Sequence, residues 1–171
     1  MYFNSFPTIN YDLFGDGNKI LFTDITRKVA LDKLIKKDII SFDFYDIQDG
    51  ETPEVIAHLY YGDVLLHWVV LLTNNITNVY EQWPKSTVSL EEYVRNKYED
   101  VDGTHHYEIP YSSGDTNKII VLNSNENYPN ATRITNFAHE LSENNKKIRI
   151  RLIKPFYISQ FVSEFTRLVS N

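Results

Sequence analysis

An α+β fold is predicted for this 171-residue chain by three local patterns. Residues Ile40 to Ile47 alternate apolar and polar with the period of a strand; beyond Asp49-Gly50 two short segments repeat apolar residues at helical spacing; and the C-terminal segment carries one continuous apolar stripe. Together they describe a small β-α-α module embedded in a mixed domain with short strands, an N-terminal arm and a C-terminal amphipathic helix. The division that follows is 1–39 for the arm with a short strand or helix, 40–98 for the module and the helix after it, and 99–171 for a hairpin, a strand and the terminal helix.

From Met1 to Phe22 the chain is aromatic and rich in turns, with Phe14-Gly15-Asp16-Gly17-Asn18 leading into a strand at Lys19 to Thr23, as in an arm or small hairpin. Between Ile25 and Ile40 the apolar positions fit no single period, and a short helix is expected there. After the strand ending at Ile47, Asp49-Gly50 supplies a turn, Thr52 a helix cap and Pro53 the first helical position, where its missing N–H costs nothing. This helix is expected to bury Val55, Ile56 and Leu59 and to stop at Gly62. Asp63 then caps a second helix, whose Leu65, Trp68, Val69 and Leu72 share one face. Its other faces are also apolar, so it is either buried nearly all round or offers an apolar side to another protein.

Ile76 to Thr87 is expected as a loop containing Trp83-Pro84, followed by a helix to Tyr98 that starts with a capping box at Ser89-Leu90-Glu91-Glu92. His105 to Ile109 and Ile119 to Leu122 are expected as a hairpin, with a mobile connection at Pro110 to Lys118. Ile148 to Leu152 alternates as a strand, and Ile158, Phe161, Val162, Phe165, Leu168 and Val169 form the stripe of the last helix. That stripe lies on an apolar surface, either this protein's own or a neighbour's.

Composition narrows the function. Seventeen basic residues against twenty-three acidic ones give a net charge of −6, which opposes binding to nucleic acid or an anionic bilayer. The basic run from Lys146 to Arg151 alternates with Ile and reads as a solvated strand face. The longest apolar stretch, Val64 to Leu72, is interrupted by His67 and is far short of the ~20 residues a spanning helix needs, so no membrane segment is expected. The N-terminus has no basic segment followed by an apolar run, so no secretory signal is expected. With no cysteine, thiolate chemistry, disulfides and Cys-containing zinc sites are excluded. Aromatic residues make up 14% of the chain, a share that suits a protein interface.

No catalytic, cofactor or metal residues are assigned. Asp12 to Gly17 begins like a calcium loop, but Phe14 and Thr23 stand at ligand positions, so a plain turn is expected. His105 and His106 are adjacent and, on a regular strand, point to opposite faces; His58, His67 and His139 have no paired motif. No facing carboxylate pair, phosphate loop or nucleophile elbow is present, so no enzyme activity and no small-molecule ligand are expected. The candidate interface residues are Phe3, Phe6, Trp68, Tyr80, Trp83, Phe161 and Phe165.

Gly50-Glu51-Thr52, Ile56-Ala57, Tyr60-Tyr61-Gly62-Asp63 and Asn74-Asn75-Ile76 resemble a LysM module, which makes the β-α-α unit LysM-like and brings peptidoglycan or chitin binding as an alternative function. Tyr80-Glu81-Gln82-Trp83-Pro84 stands where that family has a Pro-Gly loop and a closing strand. Over nearly its full length the chain is similar to the baseplate wedge protein 53 family of T-even-like contractile-tailed bacteriophages. The motifs are Phe6-Pro7-Thr8-Ile9, Gly15-Asp16-Gly17-Asn18-Lys19, Thr23-Asp24-Ile25-Thr26-Arg27, Asp49-Gly50-Glu51-Thr52-Pro53-Glu54, Tyr61-Gly62-Asp63 with His67-Trp68, Leu71-Leu72-Thr73-Asn74, Asp102-Gly103-Thr104-His105-His106-Tyr107-Glu108, and Ile153-Lys154-Pro155 with Val162-Ser163-Glu164-Phe165. Residues 111–148 carry no matched motif. The resemblance implies a non-enzymatic virion component of the tail baseplate, assembled in the host cytoplasm, whose partners are other wedge subunits, including those of neighbouring wedges.

Overall fold

A computed structural model describes residues 2–27, 42–110, 118–121 and 131–170. The chain divides into two compact units, one comprising Met1–Asp46, Glu51–Gln82 and Ile150–Asn171, the other Ile47–Gly50 and Trp83–Arg149. The expected helix within Ile25 to Ile40 lies mostly outside the described residues, as does most of the connection from Pro110 to Lys118; Ile25 and Thr26 form a turn.

The first unit opens with a 3-10 turn at Tyr2–Ser5 and an antiparallel hairpin of β1 (Thr8–Tyr11) and β2 (Ile20–Thr23). Its loop is built around Asp12, whose carboxylate accepts the amide N–H groups of Gly15 at 2.6 Å, Asp16 at 3.2 Å and Gly17 at 2.9 Å. The bond from Gly17, followed by those from Gly15 and Asp16, outweighs desolvation and holds the Asp12 pKa below the usual carboxylate value. Gly15 and Gly17 both adopt positive φ, 70° and 85°, which glycine takes without steric cost. The Asp12 oxygens are thus turn acceptors, as the turn reading requires.

Strand β3 (Phe42–Asp46) leads to α1 (Pro53–Tyr61), a 3-10 turn (Val64–Leu66) and α2 (His67–Thr73). The expected punctuation is present: Thr52 accepts from the Val55 N–H, Gly62 closes α1 at φ 75°, and Asp63 accepts from the Leu65 N–H. The expected burial of Val55 and Leu59 is not. Both are exposed, because the buried stripe of α1 runs along Pro53, Ile56 and Ala57, and positions 55 and 59 form the next stripe round the helix. In α2, Val69, Val70 and Thr73 are buried, while Trp68 and Leu72 are partly buried.

The partner of β3 comes from far along the chain. It is β7 (Arg149–Ile153), followed at once by α6 (Pro155–Ser170). Asn74, just beyond α2, ties that helix to β7: its Nδ2 donates to the carbonyls of Val70 and Arg151, each at 2.8 Å, and its Oδ1 accepts the Arg151 N–H at 2.9 Å. Asn74→Ala is expected to cost about 2 kcal/mol in a urea titration, since it leaves a partly buried backbone donor and acceptor unmatched. The stripe of α6 packs on the unit's own core. Phe165 and Val169 join Phe6, Trp68 and Leu72, while Ile158 and Phe161 pack against Phe42, Val69 and Ile153.

The second unit contains α4 (Thr87–Lys97), the antiparallel sheet of β4 (Thr104–Pro110), β5 (Lys118–Val121) and β6 (Thr132–Thr135) in the order β5-β4-β6, and α5 (Asn136–Asn145). A short α3 (Val79–Gln82), in the first unit, interrupts the expected loop before α4. The cap of α4 is Ser86, not Ser89. Ser86 accepts the Ser89 N–H, and Asp49 accepts the Thr87 N–H at 2.8 Å, so a second oxygen starts the helix earlier than the Ser89 capping box implies. Asn144 of α5 fixes the chain before this helix through reciprocal bonds with the Lys85 backbone at 2.8 and 3.0 Å.

No single helix among the described residues is long and apolar enough to cross a membrane. The segments Pro53–Tyr61 and Val64–Thr73 reach that composition only as a pair bent by 120°.

Candidate protein interface

The register of the N-terminal hairpin sorts its side chains. Ile9 pairs with Phe22 and Tyr11 with Ile20, whereas Thr8 pairs with Thr23 and Asn10 with Leu21. Directly paired residues share a face, so Ile9, Tyr11, Ile20 and Phe22 form one apolar face and three of the four residues opposite are polar. Tyr11 and Phe22 meet edge-on across that face, with ring centroids 6.4 Å apart. All eight strand residues are nevertheless exposed. Leu13 and Phe14 in the loop and Ile25 after β2 are exposed apolar residues as well, Phe14 being 76% exposed. Two-stranded ribbons are marginally stable alone in water, and an amphipathic one leaves its apolar side unburied until something covers it.

The base of the hairpin is fixed by Phe6, immediately before Pro7. Phe6 is buried beside Phe165, with ring centroids 6.3 Å apart, and Phe165 lies 4.5 Å from Trp68. Phe161 stacks on Trp68 at 6.0 Å. Four of the seven candidate interface residues, Phe6, Trp68, Phe161 and Phe165, therefore meet one another inside the first unit. Trp83 is also buried, at 6% exposure. Tyr80 on α3, 89% exposed, and Phe3, 54% exposed, present their rings at the surface. None of the seven candidates lies on the hairpin face, although alternation of Ile9 with Tyr11 and of Ile20 with Phe22 is visible in the sequence.

A second cluster forms in the other unit. His105 and His106 do not diverge as a regular strand requires, because the β4–β6 register slips. Thr104 pairs with Thr135 and His106 with Ile134, so β4 carries one extra residue, His105, in a bulge. Their Nδ1 atoms stand 2.7 Å apart. His139 arrives from α5, which starts directly after β6 with Thr135 as its cap, and stacks on His105 with centroids 3.8 Å apart and planes 8° from parallel. The three residues each offer a ligand nitrogen within 4.8 Å of the others, a set that could hold a metal ion. Burial, with the neighbouring His139 and His106, pushes the His105 pKa below its usual value.

Next to His139, the nearly buried Glu140 accepts from Lys97 Nζ at 2.6 Å and from the Tyr98 hydroxyl at 2.8 Å. Burial raises the Glu140 pKa, but the bonds from Lys97 and Tyr98 outweigh it and the net shift is downward from 4.5. A carboxylate lowered on folding stabilises above its unfolded pKa, and that stability is lost as pH falls through the folded value. Glu140→Gln is therefore expected to cost about 1 kcal/mol at pH 7, discounted for the 44% exposure of the Lys97 side chain, and to flatten the loss of stability below pH 4.5 in thermal melts.

The family model described as base plate wedge protein 53 matches residues 1–130, a span that includes the hairpin, α1, α2, α4 and both His105 and His106. No curated protein matches the chain.

Proposed function

Because the chain belongs to the base plate wedge protein 53 family, which is a structural part of the phage baseplate, we propose that it joins adjacent wedges through its N-terminal hairpin. The observation that carries this reading is the apolar face of Ile9, Tyr11, Ile20 and Phe22, left uncovered on a ribbon anchored by Phe6. About half of each side chain remains to be buried, so covering the face contributes roughly 3–6 kcal/mol. Association itself costs on the order of 4–15 kcal/mol. The hairpin alone thus holds a neighbour weakly, and a ring of wedges, in which each subunit is held at several points, supplies the remainder.

In this reading the partners are other wedge subunits, met in the host cytoplasm during tail assembly, and neither nucleic acid, membrane nor small ligand is required. The LysM-like segment β3-α1-α2 serves as a rigid mount, closed by β7 after the second unit has intervened, and Tyr80 and Phe3 add surface on the same unit. Sedimentation with the other wedge proteins, run beside pull-downs on chitin and peptidoglycan, tests the proposal. Co-sedimentation with the wedges is expected. Retention by the sugars with no wedge association would instead establish the glycan-binding alternative.

A further inference from the structure

We propose that His105, His106 and His139 form a site for a divalent transition-metal ion of the zinc class. Three imidazoles from two elements converge there, and imidazole sets favour zinc, cobalt, nickel and copper over magnesium or calcium. The convergence is built by the backbone: the bulge in β4 turns two adjacent histidines to the same side, and the capped start of α5 presents the third.

His106 carries the second observation. It is 5% exposed, its Nδ1 faces His105, and its buried Nε2 makes no hydrogen bond. That Nε2 stands 3.6 Å from Oε1 of Glu108, two residues along the same strand. A ring bound to metal through Nδ1 presents an Nε2–H to this carboxylate, the arrangement in which an outer carboxylate orients a ligating histidine. A buried imidazole nitrogen with no hydrogen bond is costly in the bare protein and has a use in the loaded one.

Tetrahedral zinc with bonds of about 2.0–2.1 Å holds its nitrogens about 3.3 Å apart. Loading therefore parts the His105 and His106 Nδ1 atoms from 2.7 Å and turns the His139 ring out of its stack, both side-chain motions. The fourth position stays open to water or to a donor from a neighbouring subunit. Lys97, whose charge acts on His105, is paired with Glu140, which limits its repulsion of an incoming ion.

The full-length chain, stripped with a chelator, is titrated with Zn2+ by calorimetry, and Co2+ is added separately to read its visible absorption. One saturable equivalent of zinc is expected, with no response to Mg2+ and with the intense absorption of four-coordinate cobalt. His105→Gln and His139→Gln should weaken zinc binding at least 100-fold, roughly the upper end of an outer-partner effect, and Glu108→Gln about 10- to 100-fold. The exposed His58→Gln should bind as the parent does. Absence of a saturable equivalent in the folded parent, or parental affinity in both ligand variants, overturns the site. If those variants fail to fold, the cobalt spectrum of the parent decides: four-coordinate absorption supports the site, and the weak spectrum of hydrated cobalt refutes it.

Discussion

Phe165→Ala is expected to destabilise the protein by about 3–5 kcal/mol, the usual range for emptying a buried phenylalanine site. The ring is 3% exposed and lies between Phe6 and Trp68, so its loss opens a cavity where α6, α2 and the N-terminal segment meet. Single domains are stable by only about 5–15 kcal/mol, so a denaturant titration should show a large fall in midpoint. The hairpin is affected as well, because Phe6 anchors its first strand. Phe165→Leu, which keeps most of the volume, should lose under half as much.

Much of the fold was legible because its signals are local. Thr52-Pro53, Gly62 and Asp63 act through hydrogen bonds or φ angles within a few residues, and each sits where the sequence places it. The stripe of α6 is equally readable from its period, and although the stripe alone favours its own core without excluding a neighbour's surface, contacts with Val69, Ile153 and Phe42 place it on its own core. The start of α4 is partly local and partly not: Ser86 lies only three residues before Ser89 and accepts its N–H, whereas the oxygen that holds the Thr87 N–H belongs to Asp49, 38 residues away. The alternation of Ile148 to Leu152 predicts strand β7, but its pairing with β3, about a hundred residues earlier in the chain, leaves no mark in local periodicity.

The site was less legible for the same reason. Trp83 and Phe165 read equally well as surface anchors or core residues, since composition records a ring and not what covers it; in the structure both are buried. The histidine cluster depends on a single bulge residue, and regular strand geometry predicts the opposite placement. Strand β6 and helix α5, which complete it, lie in residues 111–148, where turn-rich sequence hides short elements that long-range pairing stabilises.

The second large effect concerns assembly. Tyr11→Glu combined with Phe22→Lys removes half of the apolar hairpin face, while the new charges can attract across the strands and preserve the pairing. Melting of the purified chain should change little, because the exposed face contributes little to the isolated fold. Incorporation into baseplates should fall at least tenfold, since about 1.4 kcal/mol of lost contact suffices for that factor and charges placed in an apolar joint cost more. A comparable loss from Tyr80→Ala alone would move the principal contact from the hairpin to α3.

The most direct measurement places a photo-crosslinking amino acid at Tyr11 and irradiates assembled baseplates. The hairpin account predicts a covalent product with another wedge subunit, formed in baseplates and absent from the purified chain. Fully incorporated protein that yields no product with another polypeptide would contradict it.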